Sequence, residues 1–426
     1  MTHRQQLFDH AGRRRVALTG IGVTTPAGCD LGTFTDTVLA GRPTAGPITR
    51  FDPAGLPTQF ACQVSGFHPD RYLSGKELRR ADLFAQYAVC AALDAHADAG
   101  GPVGDPLRSG IVCGSSFGGA HSYTLQALNC RDHGPEEVSP LTTTLLIPNS
   151  AAAFIGMKLD WHGPSTTLST ACASGIDAIS TGVGLIREGR CDLVLAGATD
   201  SAGLTRLMMA AFCQSDALST RNDDMSTASR PFSVGRDGYV MGEGAAFLAL
   251  EPLDAALARG ARVYAEIAGT AQSTDSHHLT APNPAGTWVT TCMDTAIADA
   301  GLASRDIGSV NAHGPSTPLG DAMETRALLA TFKGSPPPVT SSKSVFGHLM
   351  GASGAAEAAV AALTVYRGLV PPTAGHVELA ADCAGLDVVT GQPRDTGSRP
   401  VLSNSFGLGG QNSCIILRPS GWGPMP

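Results

Sequence analysis

The sequence has few charges, few aromatic residues and almost no lysine. Charged residues make up 15% and aromatic residues 5% of its 426 positions, and lysine occurs only at Lys76, Lys158, Lys333 and Lys343. The net charge of −8 excludes a protein that binds nucleic acid nonspecifically, because such proteins carry a basic surface. A lysine within a motif is therefore informative, and no nucleic-acid partner is expected.

The sequence also shows no cysteine pairs at metal-binding spacing and no pattern of a secretory signal in its first residues. The 11 cysteines include no Cys-x-x-Cys pair, so we expect neither a metal site nor a disulfide framework. The first 15 residues lack an apolar segment, which predicts a cytoplasmic location. Residues 138–157 are uncharged and long enough for a bilayer, but Pro140 and Pro148 interrupt them. We therefore predict a buried loop and helix, and no membrane contact.

Apolar strand patterns alternate with helical patterns along the whole chain. Strands are predicted at 16–23, 109–116, 191–201, 264–273, 308–313 and 337–341, and helices at 76–100, 173–189, 286–301, 319–332 and 352–367, before a final hairpin. Such alternation is typical of a layered α/β fold. Both halves repeat strand, loop and helix, which indicates a duplicated unit. The predicted divisions are an extension (1–15), two halves (16–260 and 261–418) and a tail (419–426).

A glycine pair follows the first predicted strand. Gly20 and Gly22 resemble the start of a dinucleotide-binding loop, but Thr25 stands where a third glycine is needed. No acidic residue follows at the spacing that contacts a ribose. We therefore predict a tight turn at this place rather than a cofactor site.

Cys172 is the first candidate for chemistry. It lies in Thr-Ala-Cys-Ala-Ser-Gly, where β-branched and small residues give way to an Ala/Gly-rich helix. A thiol in the first turn of a helix faces free N–H groups and the positive end of the helix dipole, which favour the thiolate. The alternative is a small buried cysteine at a tightly packed helix start.

Two histidines lie in glycine-rich loops that precede small-residue helices. His313 follows a strand in Asn-Ala-His-Gly-Pro-Ser-Thr, and His348 stands five residues after Lys343 in Lys-Ser-Val-Phe-Gly-His. A lone histidine is more often structural, but two at equivalent places predict a shared site. Residues 404–412, rich in glycine and amide side chains, form a further loop that can bring backbone N–H groups to a ligand.

Together these motifs resemble the β-ketoacyl-acyl carrier protein (ACP) synthases, the elongating ketosynthases of type II fatty-acid and polyketide systems. The resemblance covers about residues 16–418, including the segments 230–245 and 276–284. It implies the thiolase fold, an α/β architecture of two pseudo-duplicated halves in a layered α-β-α-β-α sandwich. It also implies a decarboxylative Claisen condensation, in which an acyl chain on Cys172 reacts with malonyl-ACP to give 3-oxoacyl-ACP.

The resemblance implies catalytic roles for Cys172, His313, His348, Lys343 and Glu357. Cys172 would carry the acyl chain, and the backbone N–H groups of Cys172 and Leu408 would form its oxyanion hole. The two histidines would donate hydrogen bonds to the malonyl carbonyl. Lys343 would organise His348, and Glu357 would complete that network.

Binding residues and partners are implied in the same way. The substrate- and pantetheine-binding residues would be Phe117, Phe212, His278, Thr317, Phe406, Leu408 and Gly409. Lys76, Arg79 and Arg80 would dock ACP from one face of a helix, the alternative being a solvated helix face. Because ACP carries the substrates on its phosphopantetheine, no separate cofactor is expected. The partners would be ACP and a dimer partner, either a second copy or a chain-length-factor-like subunit.

Three departures from the family pattern bear on the substrate. Pro315 replaces a hydroxyl residue in the pantetheine-contacting loop, Leu408 replaces the gating aromatic residue, and Phe117 is bulky where a smaller residue is usual. These changes favour type II polyketide biosynthesis, polyene pathways included, over the alternative of housekeeping fatty-acid elongation. Cys172 disfavours a non-catalytic chain-length-factor-like subunit. Residues 404–406 offer no second cysteine, which excludes a degradative thiolase.

Overall fold

The computed structural model describes residues 7–422, so residues 1–6 of the predicted extension and 423–426 of the predicted tail lie outside it. The strands are β1 (Val16–Thr24), β2 (Ala45–Pro47), β3 (Phe60–Cys62), β4 (Ser109–Gly114), β5 (Ser165–Leu168), β6 (Leu193–Asp200), β7 (Gly244–Pro252), β8 (Ala265–Thr274), β9 (Ser309–Asn311), β10 (Val339–Thr340), β11 (Leu369–Val370), β12 (Arg394–Asp395), β13 (Val401–Gly407) and β14 (Gln411–Arg418). The α-helices are α1 (Leu31–Leu39), α2 (Gly75–Leu78), α3 (Leu83–Asp98), α4 (Ala120–His133), α5 (Thr142–Leu146), α6 (Ser150–Leu159), α7 (Ser174–Arg187), α8 (Arg206–Gln214), α9 (Leu253–Ala258), α10 (Thr287–Asp299), α11 (Pro318–Thr331), α12 (Lys343–Phe346) and α13 (Ser353–Arg367).

The order of strands in the main sheet repeats between the two halves of the chain. The sheet runs β10-β9-β13-β14-β8-β1-β7-β6-β4-β5. When the five strands of each half are numbered along the chain, both halves have the order 1-5-4-2-3. In both, strands 2, 3 and 4 are parallel, and strand 5 is antiparallel to strands 1 and 4. The predicted pseudo-duplication is therefore confirmed.

Helices lie both between and outside the two halves of the sheet. The central helices α7 and α13 share one apolar core with strands of both halves. On the outer faces, α3 and α6 pack against the first half, and α10 and α11 pack against the second. These contacts give the predicted α-β-α-β-α layering, in which the central helices are covered on both sides.

Glycines allow the outer helices to approach the sheet closely. A Cβ added at Gly20 in β1 would lie 2.1 Å from the carbonyl oxygen of Ala95, and one added at Gly269 in β8 would lie 2.2 Å from that of Ala296. Gly20 and Gly22 lie within β1, so the predicted tight turn was wrong. Glycine is required there because the helix backbone occupies the space of a side chain.

The predicted helix 76–100 is divided in two. α2 ends at Leu78 and α3 begins at Leu83. The side chain of Asp82 accepts a hydrogen bond from the N–H group of Phe84 and so caps a new helix start. The periodicity of apolar residues continues through this break, which is why the pattern alone predicts one helix.

The uncharged segment 138–157 lies largely at the surface of the chain. It contains α5 and most of α6, and Ile147 and Met157 are 36% and 68% exposed. The predicted buried helix is confirmed in α6, where Ala151, Ala152 and Ile155 are buried. The predicted buried loop was wrong, because an uncharged segment can equally form an exposed apolar patch. Among the described residues, no helix combines the length and apolar character needed to cross a membrane.

Candidate functional site

Cys172 and His348 occupy equivalent places in the two halves of the fold. Cys172 stands just before α7, and His348 stands just before α13, the two central helices. His313 follows β9, and its ring lies 5.6 Å from that of His348 between centroids, at 84°. All three side chains are buried. The sequence pattern paired the two histidines as equivalent, whereas the topology pairs His348 with Cys172.

Cys172 lies on a strained turn rather than in the first turn of a helix. Ala171 has a φ of 50°, a left-handed conformation that residues other than glycine rarely adopt. Ala173 is the N-cap of α7, so Cys172 precedes the helix. The hydroxyl of Ser405 donates a hydrogen bond of 2.8 Å to the carbonyl oxygen of Cys172. This contact ties the cysteine to β13 of the other half.

The environment of Cys172 favours the neutral thiol in the free protein. Burial raises the pKa of Cys172 to about 11, while the charge of Lys343 and the backbone N–H groups of Leu408 and Cys172 lower it. Burial therefore works against the predicted thiolate, because its effect exceeds the opposing effects of the Lys343 charge and the two N–H groups. The same two N–H groups are those predicted to form the oxyanion hole, and their hydrogen bonding stabilises negative charge on the sulfur.

Lys343 is buried beside His313. Its Nζ lies 3.2 Å from Nδ1 of His313, and it donates hydrogen bonds to the carbonyl oxygen of His313 at 2.6 Å and to Glu357 Oε1 at 2.5 Å. An ammonium group can only donate, so Nδ1 is the acceptor and the proton of the neutral ring is on Nε2. The prediction that Lys343 organises His348 was wrong, because its direct contact is with the other histidine.

His348 is oriented by its own loop. The backbone N–H of Met350 donates to Nδ1 at 3.2 Å, and the hydroxyl oxygen of Ser353 lies 2.8 Å from the same atom. The ring proton is therefore on Nε2, as in His313. Burial first, and the charge of Lys343 second, hold the pKa of both histidines well below the usual value. Both rings are neutral and can donate through Nε2.

Two acidic residues on α11 anchor the His313 loop, and the sequence analysis missed them. Glu324 accepts hydrogen bonds from the backbone N–H groups of His313 and Gly314 at 2.9 and 2.7 Å, and from Asn404 Nδ2 at 3.0 Å. Asp321 stands three residues earlier and is also fully buried. The sequence did contain one signal for them: the i, i+3 spacing of Asp321 and Glu324 on a helix with an apolar face.

Asp200 joins two loops of the site and was also missed. Its carboxylate accepts hydrogen bonds from the N–H groups of Ser116 and Gly351 at 2.9 and 2.7 Å, and from the N–H of Phe117 at 3.2 Å. The loop after β4 is thereby fixed to the loop that follows His348. Its position at the end of a predicted strand was the only local signal.

Aromatic rings line the space beside His348. Tyr239 lies 5.0 Å from His348 between ring centroids, Phe212 lies 6.1 Å from Tyr239, and Phe117 lies 6.4 Å from Phe212. The same cluster includes Met209, Met241 and Met350. Phe117 and Phe212, both predicted to bind substrate, therefore line one apolar region next to the site. Tyr239 was not predicted.

The glycine-rich loop after β13 lies over the site. The ring of Phe406 is 5.4 Å from that of His313 between centroids. Leu408 is 44% exposed, and the N–H of Gly409 donates to the carbonyl oxygen of Leu279 at 2.8 Å. The structure therefore places the three predicted residues of this loop between the buried histidine and the surface.

His278 and Thr317 lie on outer loops. His278 is exposed, and its Nδ1 accepts hydrogen bonds from the N–H groups of Thr280 and Ala281 at 3.1 and 3.2 Å. Thr317 is the N-cap of α11, and its hydroxyl oxygen accepts from the N–H of Gly320 at 3.2 Å. The Thr317 hydroxyl proton remains available as a donor.

The predicted docking cluster is exposed but is not one helix face. Lys76 lies in α2, whereas Arg79 and Arg80 follow its last residue, Leu78. The predicted i, i+3, i+4 arrangement was wrong, because the helix ends before the arginines.

Within residues 7–422, no group of three or more His, Cys, Asp or Glu side chains is arranged to hold a metal ion.

Comparisons with known proteins agree over nearly the whole chain. Residues 13–256 match the family described as "Beta-ketoacyl synthase, N-terminal domain", and residues 264–377 match "Beta-ketoacyl synthase, C-terminal domain". The chain is 38% identical over 409 residues to 3-oxoacyl-[acyl-carrier-protein] synthase 2 of Staphylococcus aureus (strain N315). That alignment covers 95% of this chain and 98% of the relative.

Two solved structures share the fold. One is the ishigamide ketosynthase/chain length factor, with a TM-score of 0.90 and 34% identity over 96% of this chain and 100% of that chain. The other is a type II polyketide synthase acyl-carrier protein in complex with its ketosynthase bound to the hexaketide, with a TM-score of 0.88 and 28% identity over the same shares. These matches confirm the predicted thiolase-type α/β fold, and the chain belongs to the β-ketoacyl-ACP synthase family of condensing acyltransferases.

Proposed function

We propose that this chain condenses an acyl group held on Cys172 with malonyl-ACP, within a type II polyketide pathway. The observation that supports the proposal is a buried group in which the rings of His313 and His348 lie 5.6 Å apart between centroids. Lys343 joins Cys172 to this group, because it contacts His313 and its charge lowers the pKa of the thiol. The thiol and the two rings provide a nucleophile and two donors for a developing oxyanion, which is what a decarboxylative condensation needs.

In the first step, Cys172 takes the acyl chain from ACP. Its sulfur forms a bond to the acyl carbon, the carbon–sulfur bond to the ACP thiol breaks, and the departing thiol recovers the proton that Cys172 gives up. The backbone N–H groups of Cys172 and Leu408 stabilise the negative carbonyl oxygen of the intermediate. Lys343 supports the thiolate during this exchange, since its charge lowers the pKa of Cys172.

In the second step, malonyl-ACP loses carbon dioxide. The bond between the carboxylate and the α-carbon breaks, and its electron pair forms an enolate whose oxygen accepts hydrogen bonds from Nε2–H of His313 and His348. The α-carbon then attacks the acyl carbonyl, and the bond from that carbon to the Cys172 sulfur breaks. The departing thiolate takes up a proton from solvent, which restores the neutral thiol. Neutral histidines suit this step, because the reaction needs donors at the oxygen and no proton transfer from the ring.

Three residues support a polyketide chain over a housekeeping fatty-acid chain. Leu408 gives an aliphatic gate, Pro315 removes one hydroxyl from the pantetheine loop, and Phe117 narrows the apolar region beside His348. Two solved relatives are named as a ketosynthase/chain length factor and as a ketosynthase of a type II polyketide synthase. We propose a specialised pathway, polyene biosynthesis included. The alternative is fatty-acid elongation, in line with the Staphylococcus aureus relative.

The proposed partners are ACP and a second subunit of the same fold. β5 is an edge strand of the main sheet, and helix α4, in the segment between β4 and β5, has no buried residue. Exposed apolar side chains of this segment are Tyr123, Leu125, Leu128, Ile147 and Met157. An open strand edge beside an apolar patch favours pairing with another subunit. Native mass spectrometry would distinguish a homodimer from a heterodimer with a chain-length-factor-like subunit.

The experiment that tests the proposal is a two-stage incubation. The enzyme is first mixed with acyl-ACP, and intact-mass and peptide analysis show whether Cys172 gains the acyl group. Malonyl-ACP is then added, with and without the partner subunit, and the ACP-bound products are identified. Repeated condensations on one chain support the polyketide pathway, one extension of many saturated chains supports fatty-acid elongation, and no acylation of Cys172 overturns the proposal.

A further inference from the structure

Tyr239 carries a hydroxyl group in a wall that is otherwise apolar. The residue is 8% exposed and belongs to the cluster that contains Phe212, Met209 and Met241. Its ring meets those of His348 and Phe212 edge to face, at 5.0 and 6.1 Å between centroids. The phenol therefore lies between the catalytic centre and the apolar region proposed to hold the acyl chain.

The Tyr239 hydroxyl has no hydrogen-bond partner within residues 7–422. It is not one of the unpartnered polar atoms that are sealed from solvent, so the oxygen keeps some accessible surface. Burial raises the pKa of Tyr239 well above its usual value, and the nearby Cys172 and Cys213 thiols raise it further. The hydroxyl is consequently a protonated donor close to Cys172.

Packing alone does not account for this hydroxyl. A phenylalanine would fill the same volume. An acyl chain that enters the site displaces water from the hydroxyl, and this costs free energy unless the chain supplies an acceptor. Under the proposed function, the thioester carbonyl oxygen accepts hydrogen bonds from the N–H groups of Cys172 and Leu408, so it does not need this donor. A saturated or polyenoyl chain carries no other oxygen near the thioester. On the acylated enzyme, the acceptor that replaces this water would therefore belong to an oxygenated chain.

We propose that the Tyr239 hydroxyl donates a hydrogen bond to an oxygen near the thioester end of the acyl chain on Cys172. The pocket would then favour 3-oxoacyl and 3-hydroxyacyl chains over saturated and polyenoyl chains. This inference rests on the proposed function, because it requires an acyl chain on Cys172. It narrows the substrate class to chains that arrive with the oxygen of the previous condensation still in place.

The test compares acylation of Cys172 by acetoacetyl-ACP, butyryl-ACP and 2,4-hexadienoyl-ACP. We expect the wild-type protein to have the highest kcat/KM with acetoacetyl-ACP. In Tyr239→Phe, the ratio of kcat/KM for acetoacetyl-ACP to that for butyryl-ACP should fall about tenfold, mainly through KM, which is the effect of one hydrogen bond. Tyr366→Phe is the matched control, since Tyr366 is exposed and packs on Tyr264, and its ratio should equal that of the wild type.

Each other outcome overturns the inference in a distinguishable way. An unchanged ratio in Tyr239→Phe means that the hydroxyl does not contact the chain. An equal loss with all three chains means that Tyr239 only supports His348. A wild-type preference for the hexadienoyl chain assigns the pocket to polyenes. No acylation by any chain overturns the proposed function, and this inference with it.

Discussion

Lys343 Nζ lies 3.2 Å from Nδ1 of His313, with both side chains buried. This contact fixes the ring proton of His313 on Nε2 through a charged donor. In His348 the same tautomer is set by neutral donors, the N–H of Met350 and the hydroxyl of Ser353. The two histidines thus offer equivalent donors that are held by different chemistry, and they can be perturbed separately.

Removing Lys343 should impair decarboxylation. Lys343→Met leaves Glu357 buried without its cation, which is strongly destabilising, so the double variant Lys343→Met, Glu357→Gln is the better test. Without the ammonium, the proton of His313 can move to Nδ1, and the rate of carbon dioxide release from malonyl-ACP should fall at least about tenfold. Stability is followed by thermal unfolding. Wild-type carbon dioxide release in the folded double variant would show that Lys343 does not hold the tautomer.

Losing either histidine should slow decarboxylation far more than acylation. His313→Ala or His348→Ala removes one donor to the enolate oxygen, an interaction whose loss typically slows a reaction by about 10²–10³-fold. The oxyanion hole for acylation uses backbone N–H groups, so acyl transfer to the cysteine should fall less. Carbon dioxide release and intact-mass acylation measure the two steps. His162→Ala, at an exposed histidine, is the control, and equal losses in both steps would contradict the assignment.

Alkylation of Cys172 should depend on pH, and acylation by acyl-ACP should require this cysteine and no other. Burial raises its pKa to about 11, so alkylation by iodoacetamide should accelerate about tenfold per unit between pH 7 and pH 9, because the thiolate is the nucleophile. Cys172→Ala should abolish acylation by acyl-ACP. Cys29→Ala is the matched control, since the pKa of Cys29 is also raised to about 11, and it should acylate normally. An alkylation rate that does not change between pH 7 and pH 9 would indicate that Cys172 is already a thiolate.

Replacing Phe117 with a smaller residue should allow the protein to accept longer acyl chains. Its ring lies 6.4 Å from that of Phe212 and occupies the apolar region proposed for the chain. Phe117→Ala removes a bulky side chain and should open room for longer saturated chains, which is measured as kcat/KM over a series of acyl-ACPs. Phe8→Ala, at an exposed phenylalanine outside the cluster, is the control. The same chain-length profile in wild type and Phe117→Ala would place the end of the pocket elsewhere.

Reversing the charges at Arg79 and Arg80 should weaken ACP docking. Both arginines are exposed beside Lys76, and ACP is acidic around its phosphopantetheine serine. The double change to Glu should raise the apparent KM for acyl-ACP about tenfold at low ionic strength and less at high salt. Turnover of a small acyl-pantetheine thioester should be little affected.

The control for docking is Arg190→Glu, at another exposed arginine, which pairs with Glu188. Its apparent KM for acyl-ACP should stay near that of the wild type. Equal losses with acyl-ACP and with the small thioester would show that the Arg79–Arg80 turn supports the fold, and that ACP docks at another surface.

The sequence by itself determined the reactive groups and the order of the main elements. Cys172, His313 and His348 each lie in a contiguous motif, in which the side chain and the glycine-rich loop around it are neighbours in the chain. The alternation of strands and helices has the same local origin, since apolar periodicity follows from which face is buried. These features could be predicted because their causes lie within a few residues.

Only the tertiary structure decided how these groups are held and charged. Asp200 and Tyr239 reach the site from segments distant in sequence, whereas Glu324 lies 11 positions after His313. The strand end at Asp200 and the helical spacing of Asp321 and Glu324 were the only local signals, and neither indicates which loop the carboxylate would hold. The partner of Lys343 proved to be His313, 30 positions away, rather than His348 in its own motif. The helix dipole favours a thiolate at Cys172, but burial by both halves of the fold raises its pKa. Long-range packing sets desolvation and hydrogen-bond partners, and these outweigh what the neighbouring residues alone would dictate.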